Sequence, residues 1–198
     1  LSGEQQTGVE HSDGKLDEEV SPRVFGEMVH RLCELRPPES QWTDLMTQTL
    51  VNEDAEVELT TDLQQRVTQH AQCGIEYVET QTAGATVEQR YDELYVTAEF
   101  EQGEIAGYID HLIITPEEYH IIDYKTGSMT PEEIDVNGEY YTNQMKAYAI
   151  ALDQQETKRD VRASLIFTDI SEAWETLWTA DEIAVIEESL RSNLVGRF

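Results

Sequence analysis

The stretch 107–125, GYIDHLIITPEEYHIIDYK, constrains this chain more than any other. Two apolar, β-branched runs flank Thr115-Pro116-Glu117-Glu118, a turn signal, so the segment reads as a β-hairpin or a tightly connected strand pair. Charges inside such runs need partners, because an unpaired buried charge is costly. Side chains alternate along a strand, so Asp123 and Lys125 share one face while Ile122 and Tyr124 take the other. Asp110, on the earlier run, reaches the same place if the two strands pair. The arrangement suggests a metal-dependent site, with an ordinary ion-pair cluster at a sheet end as the rival account.

The rest of the chain organises itself around that pair. Residues 1–20 lack periodicity and read as a flexible lead-in or linker. Ser21 is an N-cap with Pro22 at the first helical position, and Phe25, Val29 and Leu32 or Cys33 repeat at helical spacing until Pro37-Pro38. His30 sits beside that apolar stripe. Residues 39–80 read as two or three helices, a helical insertion without evident chemistry, in which His70 is a surface residue. Strand alternation starts near Leu94, a second strand covers 104–114 and a third 119–124. Residues 126–137 read as a mobile loop. The stretch 138–152 is helical, with Gln144 and Tyr148 four apart and so facing one point. A fourth strand ends at Thr168, and Thr179 caps a last helix. The order predicts an α/β fold with a mixed central sheet of about four strands flanked by helices, one domain over 21–198.

Composition narrows the partners. Lys and Arg number 13 against 41 Asp and Glu, a net charge of −28, and only four of the bases are lysines. Such a surface repels nucleic acid at ordinary salt. Either the chain binds cations or basic partners, or it works in a high-salt, halophilic cytoplasm, where screening cuts the reach of charge to about 3 Å near molar salt. The spread of carboxylates over the whole chain favours the second reading and makes Lys125 stand out. Two cysteines, Cys33 and Cys73, cannot hold a four-cysteine iron–sulfur cluster. No apolar run approaches the roughly 18 residues of a membrane span, and no signal peptide is visible, so the expected location is cytoplasmic. The chain starts at Leu1 and reads as a domain of something longer.

Divalent cations such as Mg²⁺ take hard oxygen ligands, usually one or two carboxylates. Asp110 and Asp123 meet that need, and a lysine two residues on can oppose developing negative charge or help deprotonate the attacking water. The pattern G-Y-I-D…I-I-D-Y-K-T-G followed by Q-M-K-A-Y resembles the PD-(D/E)XK nuclease superfamily, specifically its RecB-like branch. Gly26-Glu27-Met28-Val29-His30 matches that branch's Gly-x-x-x-His motif. The resemblance covers roughly 22–170 and implies a restriction-endonuclease-like core. It implies that His30, Asp110, Asp123 and the Tyr124 carbonyl are metal ligands for Mg²⁺ or Mn²⁺. Lys125 would be the catalytic lysine, with Gln144 and Tyr148 positioning the metal-site groups or the DNA phosphate. Glu99 matches a first-strand glutamate of the branch and could equally be a surface acid.

The implied activity is that of a metal-dependent DNA nuclease, an exonuclease serving DNA end processing, recombination and repair. In AddA-like relatives such a domain is the C-terminal part of a helicase–nuclease. No G-x-x-x-x-G-K-[ST] occurs in the 198 residues, so a helicase motor would lie elsewhere on the full-length chain or on a partner subunit. The alternative is a catalytically silent nuclease fold that binds DNA or a helicase partner.

Overall fold

Strand β3 (Glu118–Lys125) is buried on both faces, and it lies in the middle of a sheet of five. The order is β1 (Gln89–Phe100), β2 (Gly103–Ile114), β3, β4 (Asp160–Phe167) and β5 (Glu172–Trp178), each hydrogen-bonded to the next. The structure, a computed structural model, describes residues 20–101, 103–155 and 158–195. The expected lead-in lies outside these residues except for Val20, as does Gln102 of the first turn.

The pairs β1–β2, β2–β3 and β4–β5 are antiparallel, and β3–β4 is parallel. A parallel pair needs a crossover, which α4 (Ile134–Asp153) supplies. On one sheet face lie α1 (Pro22–Leu35), α2 (Trp42–Asn52) and α3 (Thr61–Thr82), burying Met28, Leu32, Ile113 and Ile122. The other face packs under α4 and α5 (Ala180–Val195), burying Ile109, Ile121, Met145 and Leu165. Each such side chain contributes about 1.5–3 kcal/mol.

Helix boundaries follow local chemistry. The Ser21 hydroxyl accepts from the Val24 N–H at 3.3 Å and Pro22 fixes the first turn. The helix stops at Arg36, whose φ of 42° is left-handed. Thr60 caps α3 in the same way as Ser21 caps α1. At α5 the Glu182 carboxylate accepts from the Thr179 N–H at 2.8 Å while its own N–H donates to the Thr179 hydroxyl.

The α/β architecture with a mixed sheet matches the expectation, with three local differences. There is a fifth strand, β5, whose Glu-Ala-Trp-Glu-Thr-Leu-Trp carries no β-branched apolar residue to announce it. The expected loop 126–137 is helical in its second half. There Pro131–Glu133 form a 3₁₀ turn running into α4, and the Thr130 N–H donates to the Glu133 carboxylate at 3.0 Å. Third, β1 begins at Gln89 instead of near Leu94, because its alternation changes phase at Glu93.

That phase change matters for the site. Leu94, Val96 and Ala98 face α4, as do their partners Ile109, Gly107 and Ile105, whereas Asp92 and its partner His111 face α1. The rung between, Glu93 opposite Asp110, is missing from the ladder, and Glu93 has a φ of 50°. A non-glycine residue there is strained.

Candidate metal centre

The β2–β3 ladder ends at His111 and Ile122. Beyond it the strands part, and the backbone of Tyr124 is left without a β2 partner. Two side chains take its polar groups. Its N–H donates to Asp110 Oδ2 at 2.7 Å, and its carbonyl, which can only accept, receives His30 Nε2–H at 3.2 Å. That bond fixes the His30 tautomer and leaves Nδ1 as a ligand atom. Nδ1 points at Asp110 Oδ2, 3.6 Å away, and at Glu93 Oε1, 4.0 Å away.

His30, Glu93 and Asp110 can each offer one ligand atom, all lying within 4.8 Å of one another. Burial pushes the Asp110 carboxyl well above its ordinary range, the Asp123 carboxylate pushes it further, and the Tyr124 N–H only partly opposes them. Burial also raises Glu93, against His30. Two crowded, half-desolvated carboxylates beside an imidazole nitrogen suit a hard divalent cation, which would supply the charge that this group lacks.

On the neighbouring strand, Lys125 Nζ lies 2.5 Å from Asp123 Oδ2. The contact is a short, charge-assisted ion pair between a largely buried ammonium and a buried carboxylate. Burial lowers the Lys125 pKa, but the Asp123 charge outweighs it and the net shift is upward. Lys125 is therefore an ammonium, and it rests 4.1 Å above the Tyr141 ring. Gln144 Nε2 donates to the Tyr148 hydroxyl at 2.8 Å and stands 3.5 Å from Asp123 Oδ1. Gly107 makes room for this: a Cβ there would lie 2.7 Å from the Tyr148 ring. Gly26 does the same at the other side, letting α1 approach Thr126 just past Lys125.

The residues singled out in the sequence thus occupy one region in two parts. His30 and Asp110 converge directly, with the Tyr124 carbonyl turned to His30. Asp123, Lys125, Gln144 and Tyr148 form a second group that acts on Asp110 through charge. Glu99 lies elsewhere: it is exposed near the far end of β1, its backbone bonded to Gln154. The glutamate at the site is Glu93. Its signal was the hairpin register, since a turn near 101–103 sets residue 93 opposite Asp110.

Four further residues were missed or misplaced in the sequence reading. Asp92 Oδ1 accepts from Arg36 at 2.7 Å and lies 2.6 Å from His111 Nδ1, so a charge-balanced trio backs the site. His70 is no surface residue either. Its Nδ1 is 2.8 Å from the Thr168 hydroxyl, and its ring meets Phe25 edge-on at 4.9 Å.

A model of the PD-(D/E)XK nuclease superfamily matches residues 5–193. No curated protein matches the chain. Among solved structures, protein VC1899 from Vibrio cholerae is similar at 12% identity and a TM-score of 0.33, over 75% of this chain and 48% of that one. The chain therefore spans about half the length of that protein. No described helix is long and apolar enough to cross a membrane. With nearly its whole length matched, the chain belongs to the PD-(D/E)XK nuclease superfamily, whose members are metal-dependent nucleases that hydrolyse phosphodiester bonds.

Proposed function

We propose that this chain is a Mg²⁺- or Mn²⁺-dependent deoxyribonuclease that trims DNA ends. The observation that carries the reading is the meeting of His30, Glu93 and Asp110, from three different elements, beside the Asp123–Lys125 pair. His30 through Nδ1, Glu93 and Asp110 would hold the cation, with the Asp123 carboxylate adding negative charge beside them and the Tyr124 carbonyl orienting the His30 ring. A cation held by these residues would supply Lewis-acid polarisation of the scissile phosphate and of the attacking water.

The chain's own groups do the rest. Lys125 faces the phosphoryl oxygens as an ammonium and opposes the charge that builds on them. Tyr141 holds the lysine from behind. Gln144 fixes the Tyr148 hydroxyl and steadies Asp123, so that Lys125 keeps its position. End trimming fits better than site-specific cutting because, among the described residues, no element is shaped to read base edges. The domain serves recombination and repair with a helicase motor on the remainder of a longer chain or on a partner, and its acid-rich surface suits molar salt.

The test is cleavage of linear DNA with Mn²⁺ in molar KCl. Wild type should degrade it and Asp123→Ala should not; equal background cleavage by both sinks the reading. The high-salt assignment is checked separately, since a melting temperature that does not change between dilute and molar KCl removes it.

A further inference from the structure

The β1–β2 hairpin extends past the helices that cover its α1-facing side. Beyond the Glu93–Asp110 break that side carries Tyr95 and Tyr108, which are register partners. Their rings lie 5.1 Å apart and tilted by 54°, and 53% and 56% of the two residues is exposed. Tyr108 lies two residues before Asp110 and Tyr95 two residues after Glu93, so the pair stands about 7 Å along the strands from the carboxylates. Exposed aromatic rings are unusual on a surface this polar, and these adjoin the proposed cation site.

The surrounding charge says what such rings could be for. Phosphate recognition normally rests on free Lys and Arg. Here Arg31 is engaged with Glu34 and Arg36 with Asp92, and Lys125, held by Asp123, serves the scissile phosphate alone. With a net charge of −28 the chain has little with which to attract a DNA backbone. A nucleobase offers another handle, since its π-face stacks on an aromatic ring without any charge. The second tyrosine pair offers no paired platform: Tyr141 is covered by Lys125, which leaves Tyr140, edge-on to it and 76% exposed, as a single ring.

We propose that Tyr95 and Tyr108 form a stacking platform for an unpaired base next to the scissile phosphate, making single-stranded DNA the substrate. This deepens the nuclease reading and rests on it. Bases in a duplex already stack on one another and pair, so only an unpaired strand presents its rings. Binding should then not weaken as salt rises, because few counterions are released and screening relieves the repulsion between the strand and a chain of net charge −28.

The experiment measures anisotropy of a short labelled oligothymidylate in EDTA at several KCl concentrations, with the abasic strand of equal length and a blunt duplex as comparisons. Wild type should bind the oligothymidylate about tenfold or more tighter than the abasic strand, and that binding should hold or tighten as KCl rises. Tyr95→Ala/Tyr108→Ala should lose that preference and Tyr95→Phe/Tyr108→Phe should keep it. Equal binding of base-bearing and abasic strands by wild type overturns the proposal without needing any variant. Tighter binding of the duplex overturns it, as does tighter binding of an oligouridylate. A dimer in sedimentation that the alanine pair dissociates would assign the rings to a second copy, and also overturns it. Mn²⁺-dependent cleavage, and its loss in Asp110→Ala, is scored apart, so failure of the nuclease reading is distinguishable from failure of the platform.

Discussion

Two successive rungs of one hairpin handle negative charge in opposite ways. At the first, Asp92 faces His111 and is neutralised by Arg36, whose left-handed cap conformation at the end of α1 brings its side chain across. At the second, Glu93 faces Asp110 and, among the described residues, no guanidinium or ammonium forms an ion pair with either; Arg31 and Lys125 act on them only from a distance. The His30 imidazole and one backbone N–H are their company, and both carboxyls are pushed upward. A partner built into the chain closes the first rung and makes it a fixed part of the sheet. The second has no such partner built in, and it is the one we propose for a cation. The flip in strand phase between them separates the two environments by a single residue, so rigidity behind the site costs nothing in access to it.

The sharpest way to break this contrast is Asp110→Ala, which should weaken Mn²⁺ binding in calorimetry and slow DNA cleavage at least about a hundredfold, some 2.7 kcal/mol. An unchanged titration would mean that the second rung holds no ion. At the first rung the effect should fall on stability instead. Arg36→Ala leaves Asp92 and a buried His111 without their cation and should cost about 1–3 kcal/mol in urea unfolding, discounted because Arg36 is partly exposed. Its Mn²⁺ affinity should stay within a few-fold, and a collapse of that affinity would merge the two rungs into one site.

Acid unfolding separates both rungs from the core beneath them. His120, buried beside the Ser164 hydroxyl at 2.7 Å, is pushed by burial down to about 3 from 6.5. The folded state keeps it neutral while the unfolded chain takes up a proton, so its stabilisation is full above pH 6.5 and is lost as pH falls toward 3. By pH 5 the loss should be about 2 kcal/mol. His120→Gln should flatten that part of the stability curve; an unaltered slope would move the acid sensitivity to other groups. The smallest effect contrasts two glutamates of the same strand. Glu93→Gln should weaken Mn²⁺ binding about tenfold, roughly 1.4 kcal/mol, and Glu99→Gln should do nothing measurable. Equal effects from the two would remove Glu93 from the centre.

How far a sequence can be read here depends on how local each feature is. Asp123 and Lys125 share a face because they are two apart on one strand, and Gln144 and Tyr148 because they are four apart on one helix. Both pairings needed only the period of an element. Ser21, Pro22 and Thr179 were legible for the same reason, since a cap is settled within four residues. Glu93 was not, because its place depends on hairpin register and on a φ of 50° that reverses strand phase. His70 was not, because polar neighbours along α3 conceal the contacts that Phe25 and Thr168 bring to it.

One tetrapeptide marks the limit. Thr-Pro-Glu-Glu occurs at 115–118 and again at 130–133. In the first copy the Thr115 hydroxyl accepts from the Glu118 N–H at 3.1 Å and the chain reverses into β3; in the second, Glu133 caps Thr130 and the chain winds into α4. Local chemistry allows both. The residues downstream of each copy make the choice: Tyr119–Ile122 are buried against β2 and β4, whereas the stretch after Ile134 buries one stripe, Met145 and Tyr148 among it, on the sheet. By itself the sequence determined the elements, their caps, and the carboxylate, lysine and histidine chemistry they carry, because those depend on neighbours within a turn or two. Which carboxylates meet, which are neutralised and which wait for a cation was decided by the tertiary structure, because charges sense distance through space and burial, and neither is written in the spacing along the chain.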